Sequence, residues 1–172
     1  MNKSHSLILC ACFIISVLLL ILSVEFVFQK TEITDDENTY DFQAKILCNG
    51  EVKESSPPTI SNFRNVFTII DDGKWTGHYT LGHPLIIAVG ILLGSRYILT
   101  IIFSSSLIII IYLIGKELYD KKIAIVSSLL LFISPYFYFI SSTRLSHTSS
   151  AFFLSLSILF FIKARKHENI RM

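Results

Sequence analysis

Apolar runs separated by short polar segments dominate the pattern of this chain. The first run covers residues 7–28 and carries no charge before Glu25, so as a helix it can cross about 30 Å of hydrocarbon at about 1.5 Å per residue. No A-x-A cleavage pattern appears in "LLLILSVEF", which favours a retained anchor over a cleaved signal peptide. Three more spans are predicted, over residues 97–115, 123–140 and 147–162. Residues 84–115 are too many for one span and too few for two, so a short interfacial helix is predicted over residues 84–94.

The pattern therefore predicts an all-α integral membrane protein. Its expected architecture is about four transmembrane helices, with amphipathic interfacial helices in a large first extracytoplasmic loop at residues 29–95. Lysine and arginine are concentrated at the ends of the spans that would be cytoplasmic, and the short outer loop before the fourth span carries only Arg144. This asymmetry predicts that both termini are cytoplasmic. The expected location is the cell membrane, or the endoplasmic reticulum membrane in a eukaryote.

Composition agrees with a membrane class and excludes several others. The chain has 172 residues, 52% of them hydrophobic, and 16% are charged where soluble domains carry about 25%. A net charge of +2 gives no indication of a nucleic-acid partner. The three cysteines form no C-x-x-C pair, so neither a zinc site nor a disulfide framework is predicted.

The loop after the anchor begins with "ITDDENTYDFQAKILCNG", residues 33–50. Thr34 and Glu37 fit a capping box, in which each side chain binds the other residue's backbone N–H. Asp35 lies in the first turn, where an acid complements the helix dipole, and Asn49-Gly50 is a stop signal. A helix of about 14 residues is therefore predicted, lying against the bilayer.

One acid is left unexplained by the cap. Asp36, Tyr40, Ala44 and Leu47 fall at helical spacing and share one face. Asp36 therefore points the same way as the apolar residues. The residues alone leave open whether it has a structural or a catalytic role.

The order of these segments resembles the N-terminal part of the GT-C membrane glycosyltransferases. Within them the resemblance is to the group of protein O-mannosyltransferases and lipid A aminoarabinose transferases. The pattern D-E-x-x-Y-x-x-x-A is met by Asp36, Glu37, Tyr40 and Ala44. Further landmarks are met by Gly73 and Trp75, by Gly82, Pro84 and Leu85, and by Ser134 and Pro135.

The resemblance implies transfer of a sugar from a polyprenyl-phosphate donor to an acceptor hydroxyl, on the extracytoplasmic face and with inversion. It implies Asp36 as the general base, Glu37 as the second choice because it is engaged in the cap, and Asp35 as the least suited. The implied partners are the lipid-linked donor, a protein or glycolipid acceptor, and membrane lipid, with no nucleic acid.

Substrate binding is expected from Tyr40 and from groups that stabilise the departing lipid phosphate. His83 stands where the family often has a basic residue before the interfacial proline. The nearby cations offer alternatives, and each is also explained as a solvated or snorkelling loop charge. They are Lys74, His78, Arg96 and Arg144.

Two departures from the family pattern affect these expectations. "SHTSSAFF" places His147 where many relatives have an acid. His147 is therefore a hydrogen-bonding substitute for that acid, a contact to the donor phosphate, or an interfacial histidine without a role. The change weakens the case for a metal there. No metal site or other cofactor is predicted, and a divalent cation is left open. The second departure is length, since family members have several hundred residues. The chain is therefore expected to be a fragment or a short form, and inactive alone.

The alternative is a small non-catalytic four-span protein, such as a partner subunit or scaffold. A transporter is disfavoured because the spans contain almost no ionisable residues.

Overall fold

The computed structural model describes residues 3–58 and 66–171. The helices are α1 (Lys3–Leu22), continued by a π-helical turn (Ser23–Val27), α2 (Asp35–Cys48), α3 (Gly82–Leu92), α4 (Ile98–Leu118), α5 (Lys121–Phe132), α6 (Pro135–Ser141) and α7 (His147–Arg171). The strands are β1 (Glu54–Ser55), β2 (Thr68–Asp71) and β3 (Lys74–Gly77). Within the described residues, three helices are long and apolar enough to cross a membrane, or four if α5 and α6 form one span. The predicted fold class, an all-α membrane protein, is confirmed.

The chain divides into two compact units. The helical unit comprises Met1–Gln29, Ile101–Ser142 and His147–Met172, and the loop unit comprises Lys30–Thr100 and Thr143–Ser146. The predicted extracytoplasmic loop thus forms a unit of its own, to which the short segment before α7 also belongs.

Side chains of α1, α4, α5 and α6 form the core of the helical unit. The cluster consists of Leu9, Cys12, Leu107, Ile108, Tyr112, Ala124 and Phe137. Polar contacts join α1 to α4 within it, since Ser105 Oγ donates to Ser16 Oγ at 3.2 Å. Both serines are fully buried. Small residues therefore bring these helices together, as membrane helices require where no hydrophobic effect drives their association.

The third predicted span is two helices rather than one. The axes of α5 and α6 differ by 60°. Pro135 has no N–H to continue the hydrogen bonds of α5, and it stands in the first turn of α6, where no donor is needed. Ser134 caps the new helix by accepting from Phe137 N. The proline therefore breaks the span instead of only bending it.

In the loop unit, α2 has the predicted boundaries. Thr34 Oγ1 accepts from Glu37 N, and Glu37 Oε2 accepts from Thr34 N, both at 3.3 Å, so the capping box is confirmed. At the other end Asn49 is the C-cap and Gly50 has φ +78°, the left-handed conformation that glycine adopts without strain. Local chemistry alone accounts for both ends of this helix.

A small antiparallel sheet, in the order β1-β3-β2, was not predicted. Its hairpin joins Asp71 to Lys74 through the two residues Asp72 and Gly73, with φ of +48° and +69°. An Asp-Gly pair with two positive φ angles is the favoured two-residue hairpin turn. The dipeptide was therefore a usable signal for strands inside the loop.

The loop unit packs around α2. Tyr40 and Ala44 on α2 form a cluster with Ile87 and Ala88 on α3. On another side Gln43 Nε2 donates to Gly77 O at 3.2 Å, at the end of β3. A side chain at Gly77 would collide with Gln43, since a Cβ there would lie 2.6 Å from Gln43 Cδ. The first helix of the loop is thus held by both α3 and the sheet.

Candidate functional site

Asp36 lies in the first turn of α2 and is half-buried. The hydroxyl of Tyr79 donates a hydrogen bond to Asp36 Oδ1. Tyr79 follows β3, and its own carbonyl accepts from Gln43 Nε2 at 2.9 Å. Burial, and then the hydrogen bond to Asp36, raise the pKa of Tyr79, so the phenol stays protonated and remains a donor. Tyr79, whose backbone is itself held by Gln43 of α2, therefore fixes one carboxylate oxygen of Asp36.

Aromatic rings pack beside this carboxylate. The ring of Tyr40 lies 4.5 Å from that of Tyr79 and 4.8 Å from that of His83, measured between centroids. Tyr40 also donates through its hydroxyl to Ser146 Oγ at 3.2 Å. Tyr40 thus connects α2, α3 and the segment before α7.

Glu37 has no freedom to act as a base in this arrangement. Its side chain is 1% exposed, and its Oε2 accepts from the N–H groups of Ile33 and Thr34 at 2.9 and 3.3 Å. Its Oε1 accepts from Arg144 N at 2.7 Å. Both oxygens are therefore occupied by backbone donors. The carboxylate ties the helix cap to a residue 107 positions later.

Arg144 is fully buried, with 0% exposure. Its Nη2 donates to Glu32 Oε1 at 2.6 Å, and its Nη1 donates to the hydroxyl of Tyr97. The guanidinium carbon lies 5.2 Å from the centroid of the Tyr97 ring, within cation–π range. The carbonyl of Arg144 accepts from His83 Nε2 at 2.7 Å, which places the hydrogen on that nitrogen. This buried cation therefore organises the site instead of facing solvent.

A second arginine borders an open cavity. Arg96 is 34% exposed, and its Nη1 lies 2.9 Å from Asp41 Oδ1 and 3.8 Å from Glu32 Oε1. The cavity has a volume of about 360 Å³ and is lined by Lys30, Ile91, Gly94, Ser95, Arg96 and Tyr97. Burial raises the pKa of Tyr97, and the charge of Arg144 opposes that shift. The cavity thus presents two cations beside a neutral phenol.

Five of the predicted site residues meet in the loop unit: Asp36, Glu37, Tyr40, His83 and Arg144. Lys74 belongs to the same unit but is exposed on β3, where its backbone lies opposite that of Asp71 in the strand register. His147 begins α7 in the helical unit. There it lines an apolar cavity of about 270 Å³ at the junction of α5 and α6.

Three residues of the site were missed in the sequence: Glu32, Tyr79 and Tyr97. Each reaches the site through a contact distant in sequence, such as that between Tyr79 and Asp36, 43 positions apart. No local pattern marks Tyr79 or Tyr97. For Glu32, its position as an acid just upstream of the capping box indicated a candidate partner for a cation of the loop.

Metal binding has no support in the described part of the chain. Within residues 3–58 and 66–171, no group of three histidine, cysteine, aspartate or glutamate side chains could hold a metal ion.

The C-terminal part of the chain matches a known protein family. The model of the dolichyl-phosphate-mannose-protein mannosyltransferase family matches residues 80–172, more than half of the chain. The chain belongs to this family. The resemblance to GT-C glycosyltransferases is thereby confirmed, and at the level of the family the activity is that of a glycosyltransferase of the mannosyltransferase type. The family implies a dolichyl-phosphate-sugar donor and a protein acceptor. No curated protein and no solved structure matches the chain.

The match to the mannosyltransferase family covers only part of the site. It includes His83, Arg144 and His147, and it begins after Asp36 and Glu37. The catalytic role of Asp36 therefore stays a prediction. The apolar helices of this family member fit a multi-pass membrane protein.

Proposed function

We propose that this mannosyltransferase-family chain carries the general base of a sugar transfer from a polyprenyl-phosphate donor to an acceptor hydroxyl. The observation that carries the proposal is the position of Asp36. It is a half-buried carboxylate with one oxygen held by Tyr79, beside a neighbouring acid that is fully engaged in structure. Of the acids in "DDE", only Asp36 combines partial access with a fixed orientation.

The proposed reaction needs one proton transfer and one displacement. Asp36 Oδ2 accepts the proton of the acceptor hydroxyl as that oxygen attacks the anomeric carbon of the sugar. The bond from that carbon to the phosphate oxygen breaks, and the polyprenyl phosphate leaves with the electron pair. Attack from the face opposite the phosphate inverts the anomeric centre.

The departing phosphate requires cations that it can reach. Arg144 does not meet this requirement, because its guanidinium is fully buried, whereas Arg96 is 34% exposed. His83 is likewise buried and bonded to a carbonyl. We therefore assign Arg144 and His83 to positioning the site. The phosphate is assigned to Lys30 and Arg96, which line the open cavity. For Lys74 and His147 the predicted substrate contacts remain proposals that no described contact supports.

The reaction is proposed to take place on the extracytoplasmic face. The distribution of lysine and arginine supports this orientation, with both termini in the cytoplasm. A single cysteine introduced at the exposed Glu51 of a cysteine-free variant should then react with a membrane-impermeant maleimide from the outer side.

The decisive experiment measures transfer by the complete product of the gene that carries this sequence. The donor is dolichyl-phosphate mannose with a radiolabelled sugar, and the acceptor is a peptide containing serine and threonine. Asp36→Asn keeps the size of the side chain and removes its basicity. It is expected to lower transfer by about 100- to 10,000-fold, the usual contribution of a general base.

Asp35→Asn is the matched control, because it makes the same chemical change at the adjacent, exposed acid. It should change transfer by less than about twofold. Normal transfer by Asp36→Asn would contradict the proposal. So would a selective loss of transfer in Glu37→Gln with unchanged unfolding.

A further inference from the structure

A lysine-lined cavity lies in the helical unit where α4 turns into α5. It has a volume of about 570 Å³ and is lined by Lys116, Tyr119, Asp120, Lys121 and Lys122. None of these residues belongs to the candidate transfer site. The cavity stands at the ends of two apolar helices, where a membrane protein meets the lipid headgroups.

The backbone around this cavity is fixed by two features. Asp120 Oδ1 accepts from the N–H groups of Lys122 and Ile123 at 2.7 and 2.8 Å, which caps α5. One turn earlier, a Cβ added to Gly115 would lie 2.9 Å from Ala124 Cα, so α4 and α5 approach as closely as only glycine allows. The three lysines therefore project from a defined turn.

No salt bridge in the described part of the chain engages these lysines, although the charge of Glu117 interacts with that of Lys116. None of the ion pairs found within residues 3–58 and 66–171 uses Lys116, Lys121 or Lys122. The adjacent Glu117 pairs instead with Lys166, at 2.9 Å. Among the residues that line the cavity, three lysines face one acid, Asp120. The cavity therefore keeps a positive charge that an anion can satisfy.

An exposed apolar stripe starts beside the lysines. Ile123, Val126 and Leu130 are exposed on α5 at positions i, i+3 and i+7, which places them on one face. Leu118, at the end of α4, is also exposed. A ligand with both an anionic group and hydrocarbon chains could use the cavity and the stripe together.

We propose that this turn binds the headgroup of an anionic phospholipid. The headgroup phosphate lies among Lys116, Lys121 and Lys122, and the acyl chains follow the stripe along α5. A basic pocket between membrane helices is the usual form of such a site. Inorganic phosphate shares the charge but cannot use the stripe, so the stripe favours a lipid over a free anion.

The test measures lipid binding to the purified full chain by native mass spectrometry, with phosphatidylglycerol as the anionic lipid and phosphatidylcholine as the neutral one. The variant Lys116→Gln/Lys121→Gln/Lys122→Gln removes the three charges. Each lysine contributes about fivefold to the affinity for an anionic lipid, so the triple variant should bind phosphatidylglycerol about 100-fold more weakly. Binding of phosphatidylcholine should not change.

The matched control is Lys3→Gln/Lys163→Gln/Arg165→Gln, which removes three exposed cations that do not line the cavity. It should weaken phosphatidylglycerol binding by less than about threefold. The variant with arginine at the three cavity positions keeps the charge and should retain the lipid, which separates loss of charge from loss of fold.

Equal weakening by the two triple glutamine variants would overturn the site, because the effect would then belong to the overall positive charge. Loss of lipid from the arginine variant would overturn it as well. Displacement of phosphatidylglycerol by millimolar inorganic phosphate would overturn the assignment to a lipid.

Discussion

The buried Arg144 provides the sharpest test of how the loop unit is held together. We consider Arg144→Met, which keeps most of the side-chain length and volume while removing the charge and every donor of the guanidinium. The backbone bond from residue 144 to Glu37 survives. What is lost is the ion pair with Glu32, the bond to the Tyr97 hydroxyl and the cation–π contact.

The loss of stability in Arg144→Met depends on the carboxylate of Glu32, which is left without its partner. Removing one partner of a buried ion pair costs about 3–5 kcal/mol when the other charge is left buried. The side chain of Glu32 is 32% exposed, so water can hydrate the abandoned carboxylate. We therefore expect a cost near the lower limit, about 3 kcal/mol.

The assay is amide hydrogen exchange of the peptide that covers α2, Asp35–Cys48, in the membrane-reconstituted protein. A loss of about 3 kcal/mol corresponds to about 100-fold faster exchange of the most protected α2 amides. The matched control is Arg96→Met. Arg96 is 34% exposed, and its partner Asp41 keeps Lys45 at 2.8 Å, so the expected cost is about 1 kcal/mol or less. Equal exchange rates in the two variants would refute the argument that burial makes Arg144 the more important cation.

Two further predictions concern tyrosines of the same site. Tyr79→Phe keeps the ring packing but frees Asp36, so kcat of sugar transfer should fall by about tenfold with KM little changed, the cost of about one hydrogen bond to a charged group. A rise in KM alone would show that Tyr79 acts in binding instead. The second prediction is alkaline sensitivity. Because the pKa of Tyr97 is raised in the fold, the unfolded state ionises first, and stability present below about pH 10 should be lost as the pH rises further. Tyr97→Phe should flatten that decline in denaturant unfolding, and an unchanged slope would contradict it.

Much of the fold follows from short stretches of sequence. The length and apolarity of residues 7–28 are enough to predict a membrane-spanning helix, because hydrocarbon must be crossed with every backbone bond satisfied internally, and the helix is found at Lys3–Val27. The capping box at Thr34 and Glu37 also needs no distant partner. The broken third span and the sheet were not predicted. Yet their signals, Pro135 and the Asp72-Gly73 turn, are equally local.

The sequence predicts that Glu37 belongs to the helix cap, but it does not predict the contacts that Glu37 and Asp36 make with distant residues. The capping pattern separates Glu37 from Asp36, because reciprocal backbone bonds at a helix start are encoded within four residues. It does not show that Glu37 also accepts from Arg144, 107 positions later. Nor does it show that Tyr79 holds Asp36.

The sequence by itself determined the positions of the apolar segments, the ends of α2 and the family to which the chain belongs, since these depend on hydrophobic length, capping chemistry and matched positions. Only the tertiary structure decided that Arg144 is buried and holds the loop unit together through its hydrogen bonds, whereas Arg96 faces an open cavity. The two arginines are chemically identical, and both lie beside apolar runs. Their difference is one of burial and partners, which arises only when segments distant in sequence pack together.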